Sequence, residues 1–192
     1  RWSVWMAFET AWVAMQYLGF AARGEAYMGV GRNLLIQKEA AITADLHPEL
    51  ASGDDDFLVQ ALPANRVEIS VHPDAWVVTT PPAHLNQWIT RKARHSQTAF
   101  VYPGKIQLKL SGLSFGLILF YGCLSALLLG GKIWLGLGVW FGYSAMVFPI
   151  RRRLARKLGL SNPAWWWAEP LLPLVYGIVG LKMLFQSRST WK

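Results

Sequence analysis

Residues 110–131 read LSGLSFGLILFYGCLSALLLGG and contain no charged side chain. At 1.5 Å of rise per residue, a helix of this length extends for about 33 Å, which is enough to cross the hydrocarbon core of a bilayer. Residues 133–150, IWLGLGVWFGYSAMVFPI, form a second uncharged run of spanning length. Because the two runs meet at Gly130-Gly131-Lys132, they predict a tight transmembrane hairpin.

A basic block, RRRLARK, occupies residues 151–157 directly after the second run. Lysine and arginine concentrate in the cytoplasmic loops beside transmembrane helices. A hairpin returns the chain to the side on which it started, so we expect residues 1–109 on the cytoplasmic side as well. Lys105 and Lys109, just before the first run, agree with this orientation.

The last apolar segment, residues 170–181, allows two interpretations. Pro170 and Pro173 interrupt it, and Lys182 ends it. A third span would leave the cations that follow it on the outer side, against the usual bias, whereas a re-entrant or interfacial helix would not. The sequence therefore predicts an α-helical membrane region with two or three transmembrane helices.

The charges divide the 192-residue chain into two parts. Every acid except Glu169 lies at or before Asp74, and residues 75–168 combine eleven lysines and arginines with no acid. We place the boundary just before the first span. Residues 1–105 would then form a mixed-charge domain, and residues 106–192 the membrane region.

The first domain shows patterns of both helix and strand. Apolar residues at helical spacing in residues 2–22 predict a buried or interfacial helix, because Arg1, Glu9 and Arg23 disfavour a span. Short apolar or alternating runs predict strands elsewhere. The expected strands are residues 34–36, 67–71 and 76–79, and further helices are expected at residues 57–62 and 84–100. The resulting prediction is an α/β fold for the first domain.

Three adjacent carboxylates, Asp54, Asp55 and Asp56, follow a turn at Gly53 and precede an apolar run. Acids are favoured at a helix N-terminus, so a solvated turn with a capping aspartate is the simplest interpretation. A catalytic interpretation is also open, because a neighbouring like charge raises the pKa of a carboxyl toward that of a general base. A calcium loop is disfavoured, since the alternating oxygen ligands and the terminal glutamate are missing.

A cationic, aromatic cluster follows in residues 88–95. Arg91, Arg94 and His95 fall on one face of the expected helix, with Trp88 one turn earlier. Such a helix beside a bilayer can attract anionic lipid. Alternatively its arginines can bind a diphosphate, whose oxygens match the guanidinium fork, while Trp88 stacks on a donor or acceptor ring. Nucleic acid is disfavoured as a partner, because the cations flank spans and not a soluble groove.

The order of these motifs resembles the C-terminal half of a bacterial membrane-bound family 2 glycosyltransferase, similar in plan to cellulose and hyaluronan synthases. The resemblance extends over nearly the whole chain. The residues that carry it are Gly31-Arg32-Asn33, Ser52-Gly53-Asp54-Asp55-Asp56, Trp88 and Arg91-Lys92-Ala93-Arg94-His95, followed by the spans.

This resemblance implies roles for single residues. In such enzymes the second residue of an Asp-Asp or Glu-Asp pair is the general base, which falls on Asp55. A Gln-x-x-Arg-Trp motif binds the donor diphosphate and the acceptor, and its counterparts here are Arg91, Arg94 and His95. Because Arg91 and His95 replace Gln and Trp, transfer of a single sugar is expected in preference to processive synthesis. The other residues implied are Asp54 and Trp88 for donor and acceptor binding, and Gly31 and Asn33 in the acceptor-region turn.

The function implied is that of an inverting transferase, which moves a sugar from a nucleotide-sugar donor to a lipid-linked or polysaccharide acceptor. The enzyme would be a multi-pass protein of the bacterial inner membrane, with its catalytic part in the cytoplasm. The family also uses a divalent metal, Mg²⁺ or Mn²⁺, held mainly by an Asp-x-Asp motif in its nucleotide-binding half. No such motif precedes the acceptor region here, so we expect a fragment that is inactive alone.

A competing hypothesis is a non-catalytic integral membrane protein whose basic helix binds anionic lipid. The histidines do not change this choice. His47, His72 and His84 lack the spacing of metal ligands, so the sequence predicts no metal site in this chain.

Overall fold

A computed structural model describes residues 2–44, 46–47, 52–159 and 168–185. These residues form seven α-helices, joined by extended segments and short 3₁₀ turns. The helices are α1 (Trp2–Ala21), α2 (Lys38–Thr43), α3 (Asp54–Gln60), α4 (Leu85–Ser96), α5 (Gly104–Leu129), α6 (Ile133–Lys157) and α7 (Leu172–Phe185). The 3₁₀ turns used below are Gly31–Asn33, Pro73–Ala75, Gln97–Phe100 and Glu169–Leu171.

The prediction of an α/β fold is wrong. Helix accounts for 74% of the described residues, and these residues contain no strand. Residues 34–36, 67–71 and 76–79, expected as strands, run outside regular secondary structure. The described part of residues 1–105 is therefore a helical domain without a sheet, and it does not have the architecture of a nucleotide-sugar transferase domain.

The physical reason is that a strand needs a neighbour. The backbone N–H and C=O groups of a strand form hydrogen bonds with an adjacent strand. Alternating apolar residues provide one apolar face for packing, but they do not provide that adjacent strand. Here the extended segments are fixed by side chains: the Asn33 amide donates to the carbonyl of Ala75 at 2.6 Å. Leu35 is 100% exposed and Val78 93% exposed, so these runs bury little apolar surface.

Helices α1, α4 and α7 share the larger core. Trp5 of α1 packs edge-on against Trp88 of α4, with ring centroids 4.8 Å apart, and Leu172 of α7 is fully buried in the same cluster. This arrangement confirms the prediction of helices at residues 2–22 and 84–100. It also shows α1 as a helix with a buried face.

One charged residue lies inside this core. The Glu9 carboxylate is 2% exposed and pairs with the Lys92 ammonium at 2.6 Å. The Tyr176 hydroxyl donates to the same carboxylate at 2.7 Å. Because a buried charge needs a partner and hydrogen bonds, this arrangement links α1, α4 and α7 through a single carboxylate.

A smaller core joins the end of α1 to α3 and to the start of α5. It is formed by Tyr27, Phe57, Tyr102 and Ile106. Nearby, Glu25 pairs with Lys105 at 2.6 Å and also contacts Lys109. Hydrogen bonds from these two ammonium groups lower the pKa of Glu25 to about 2.

Helices α5 and α6 form the predicted hairpin, which turns at Gly130 and Gly131. Both are long and apolar enough to cross a membrane. Their outward faces carry exposed apolar residues, such as Leu129 at 90% and Trp134 at 87%. Helix α7 has 14 residues and extends for about 21 Å, less than the hydrocarbon thickness.

The cations of the basic block at the end of α6 differ in their exposure. Arg151 is buried and pairs with Glu169, which also accepts a hydrogen bond from the Tyr143 hydroxyl. Arg152, Arg153, Arg156 and Lys157 are exposed. Four cations of the block are therefore available at the surface, and the fifth has a structural role.

Candidate functional site

The acid triplet begins α3, and the preceding glycine fixes its position. Gly53 has a φ of 105°, and its carbonyl accepts the N–H of Phe57 at 2.9 Å, which starts the helix. A Cβ atom at this position would lie 2.3 Å from Cγ2 of Thr98. Only glycine combines this backbone conformation with such a close approach. The triplet is thereby held against the turn that follows α4.

Asp56 points inward and is fully buried. One carboxylate oxygen accepts the backbone N–H of Gly29 at 3.2 Å, and the other accepts from the hydroxyls of Tyr102 and, at 3.5 Å, Thr98. Burial raises the pKa of Asp56 to about 7, although these hydrogen bonds oppose the shift. Burial also raises the pKa of Tyr102, which keeps that hydroxyl a donor. Asp56 therefore joins three parts of the site, and no substrate reaches it.

Asp55 is half-buried and lies beside the turn at residues 29–33. Its Oδ2 atom accepts the N–H of Gly31 at 2.8 Å, and its Oδ1 atom accepts the N–H of Asp56 at 3.2 Å. The first contact joins two segments that are 24 residues apart in the chain. One backbone hydrogen bond to each oxygen orients the carboxylate and leaves lone pairs for a further partner.

His95 of α4 lies within electrostatic range of Asp55. Burial lowers the pKa of His95, the positive charges of Lys92, Arg91 and Arg94 lower it further, and Asp55 opposes them. The imidazole is therefore neutral near pH 7 and can both donate and accept a hydrogen bond.

The two arginines of α4 are exposed beside this pair. Arg91 and Arg94 have solvent-accessible side chains, and the hydroxyl of Ser52 donates to the carbonyl of Arg94 at 3.4 Å. This contact connects the segment before the acid triplet to the basic helix. The Asp55 carboxylate therefore lies within electrostatic range of a neutral imidazole, which shares α4 with two exposed guanidinium groups. Asp54, the first residue of the triplet, is exposed.

Two predicted site residues take other positions. Trp88 is 6% exposed and packs against Trp5, so its indole belongs to the core and does not present a face for stacking. The Asn33 side chain binds the carbonyl of Ala75. Its neighbour Arg32 donates to the hydroxyl of Thr79 at 3.1 Å. The turn at residues 31–33 is therefore hydrogen-bonded to the segment of residues 75–79, and the N–H of Gly31 in this turn donates to Asp55.

Sequence reasoning missed the network around Asp56. Tyr102 and Thr98 were not singled out, although a buried carboxylate depends on them. The only signal was the triplet itself: successive helical positions are about 100° apart, so three adjacent acids at the start of a packed helix face different surroundings.

A divalent metal does not fit the residues that the structure describes. Among the described residues, no group of three or more histidine, cysteine, aspartate or glutamate side chains is placed to hold an ion. Asp55 and Asp56 already accept backbone hydrogen bonds, and the two carboxylates point into different surroundings. No step of the chemistry below depends on a metal.

Comparison with protein-family models, curated proteins and solved structures finds no match to this chain. The resemblance to membrane-bound family 2 glycosyltransferases therefore stays a prediction from the motifs.

Proposed function

We propose that this chain provides the acceptor-side surface and the membrane hairpin of an inverting glycosyltransferase. The observation that carries this proposal is the position of Asp55. Its carboxylate is oriented by the N–H of Gly31, stays partly exposed, and lies within electrostatic range of His95, which shares α4 with two exposed arginines.

In the proposed reaction, Asp55 accepts the proton of an acceptor hydroxyl. The hydroxyl oxygen forms a bond to the anomeric carbon of a nucleotide-linked sugar, on the face opposite the diphosphate. The bond from that carbon to the diphosphate oxygen breaks, and the nucleoside diphosphate leaves with the electron pair. Arg91 and Arg94 offset the charge that develops on the leaving group, since guanidinium donors match phosphate oxygens.

The membrane hairpin supports this assignment because it favours one side of a membrane for the proposed reaction. Helices α5 and α6 are long and apolar enough to cross a membrane. The four exposed cations after residue 151 favour a cytoplasmic location for that end of α6, and hence for the acid and arginine surface. We place the protein in a bacterial inner membrane, with a lipid-linked or polysaccharide acceptor. No Asp-x-Asp motif precedes the acceptor region, so on this proposal the nucleotide-binding residues are supplied from outside residues 1–192.

The test is sugar transfer from a radiolabelled nucleotide sugar, in membranes that contain the longer protein of which, on this proposal, the chain is part. Asp55→Asn keeps the shape of the side chain and removes the base. We expect the transfer rate to fall by about 10²–10⁴-fold, the usual effect of losing a positioned base. Glu68→Gln removes an exposed carboxylate from another segment and serves as the matched control.

Nucleotide binding by the Asp55→Asn variant should stay close to that of the wild type. Turnover like that of the wild type in Asp55→Asn would exclude Asp55 as the base. An equal loss in Glu68→Gln would show that transfer responds to any change of charge on this domain, and would also contradict the assignment.

A further inference from the structure

A surface groove of about 520 Å³ lies between residues 69–76 and the C-terminal end of α6. Ile69, Val71 and Trp76 form an apolar wall. Arg156 and Lys157, in the last turn of α6, form the opposite, cationic side. A groove with one apolar wall and one cationic wall suits a ligand that has an anionic group next to hydrocarbon.

The two cations of the groove are free to bind such a group. Both are exposed, and within the described ranges no carboxylate lies at ion-pair distance from either. Glu169 is taken by Arg151, and Asp74 lies beside His72 at 3.4 Å. Neither carboxylate forms an ion pair with Arg156 or Lys157.

The aromatic wall is positioned by two contacts of Trp76. The indole N–H of Trp76 donates to the carbonyl of Val71 at 3.3 Å. Its ring packs on Gly159, which has a φ of 66°, and a Cβ atom there would lie 2.4 Å from the ring. The indole is 42% exposed, so one part faces outward. Tryptophan with this combination of contact and exposure is typical of the membrane–water boundary.

The position of the groove favours a lipid over a soluble anion. Helix α6 is long and apolar enough to cross a membrane, and the groove lies at its last turn. Lipid phosphate groups lie at that depth, just outside the hydrocarbon. Exposed lysine and arginine there attract anionic headgroups.

The groove is also connected to the proposed catalytic surface. Trp76 follows Ala75, whose carbonyl is bound by Asn33. Asn33 belongs to the same 3₁₀ turn as Gly31, which holds Asp55. The wall of the groove and the Asp55 carboxylate are therefore connected through the turn at residues 31–33.

We propose that this groove binds the phosphate headgroup of the lipid that carries the acceptor saccharide. Arg156 and Lys157 contact the phosphate oxygens, and Ile69 and Val71 contact the first carbons of the lipid chain. The saccharide beyond the phosphate then extends toward Asp55. The assignment of the lipid as an acceptor rests on the proposed function, whereas the phosphate–lipid site itself does not.

The experiment measures binding to the purified 192-residue chain in nanodiscs of phosphatidylcholine. The probe is dioctanoyl phosphatidic acid, followed by isothermal titration calorimetry. Dioctanoylglycerol lacks the phosphate, and inorganic phosphate lacks the chains. The variant Arg156→Gln/Lys157→Gln removes the cationic wall. Arg152→Gln/Arg153→Gln removes two exposed charges from the same helix end, outside the groove, as the matched control.

We expect saturable binding of the phosphatidic acid, at least tenfold weaker in the groove variant and changed by less than about twofold in the control. Trp76→Ala should also weaken binding, with the helical circular dichroism unchanged. Equal weakening by both charge variants would show attraction to the whole basic end and overturn the site. Binding of inorganic phosphate with equal affinity, or the absence of any binding, would overturn it as well.

The two proposals fail separately. Wild-type transfer by Asp55→Asn would remove the transferase and leave the phosphate–lipid site standing. Failure of phosphatidic acid to bind would remove the site and leave the role of Asp55 untouched.

Discussion

Replacing Asp56 by Asn tests how the buried carboxylate makes stability depend on pH. The folded protein holds this carboxyl at a pKa of about 7, against an ordinary value of 3.8. Above pH 4 the unfolded chain therefore releases a proton that the folded chain keeps until about pH 7. The folded state binds more protons in this interval, so the free energy of unfolding must fall as the pH rises.

The magnitude follows from the shift. About three pKa units, at about 1.4 kcal/mol each, correspond to roughly 4 kcal/mol of stability that is present below pH 4 and absent above pH 7. Asn has no proton to release. It keeps one oxygen acceptor for Gly29 or Tyr102, so its fixed cost is about that of one buried hydrogen bond and does not vary with pH.

The assay is urea unfolding in a mild detergent, followed by far-ultraviolet circular dichroism at pH 4.5 and at pH 8.5. Between pH 4.5 and pH 8.5 the wild type should lose several kcal/mol of unfolding free energy more than Asp56→Asn loses. Asp54→Asn, an exposed change in the same turn, should follow the wild type. Parallel curves for wild type and Asp56→Asn would refute the conclusion that this carboxyl is protonated in the folded state.

Two further predictions concern the helical core and the hairpin. Lys92→Met leaves the Glu9 carboxylate buried beside a methionine, and it should lower the free energy of unfolding by about 3–5 kcal/mol. Arg91→Met is an exposed change on the same helix, and it should alter the free energy of unfolding by less than about 0.5 kcal/mol. Similar losses in both variants would contradict the buried ion pair. The hairpin can be tested by cysteine labelling in a Cys123→Ser background. The Gly130→Cys variant should react with an impermeant maleimide from outside intact cells, and the Ser96→Cys variant should react only after lysis. Labelling of both variants from one side would contradict the hairpin.

The helical parts of this fold could be predicted because their signals are local. An uncharged run of 22 residues in 110–131 predicts a helix long enough to span a membrane, and the Gly130-Gly131 turn is visible in the chain. The helical spacing in α1 and α4 is equally local. These elements were confirmed, with boundaries that differ by a few residues.

The strands were wrong because pairing is not a local property. Residues 67–71 alternate between apolar and polar side chains, yet no strand among the described residues pairs with them, and they lie outside regular secondary structure. The site shows the same limit. The sequence indicates that Asp54, Asp55 and Asp56 belong together, but not that Tyr102, 46 residues away, decides which of them is buried.

The pairing of Lys92 with Glu9 has a consequence for chemical modification. Helix α4 carries three cations within four residues. The Lys92 side chain is 18% exposed and its ammonium pairs with Glu9, whereas the side chains of Arg91 and Arg94 are exposed. Acylating reagents, which need a free amine, should therefore react slowly at Lys92 and leave the charge of this surface unchanged. Dicarbonyl reagents, which attack guanidinium groups, should neutralise it at once. The reactive cations of α4 are therefore its two arginines.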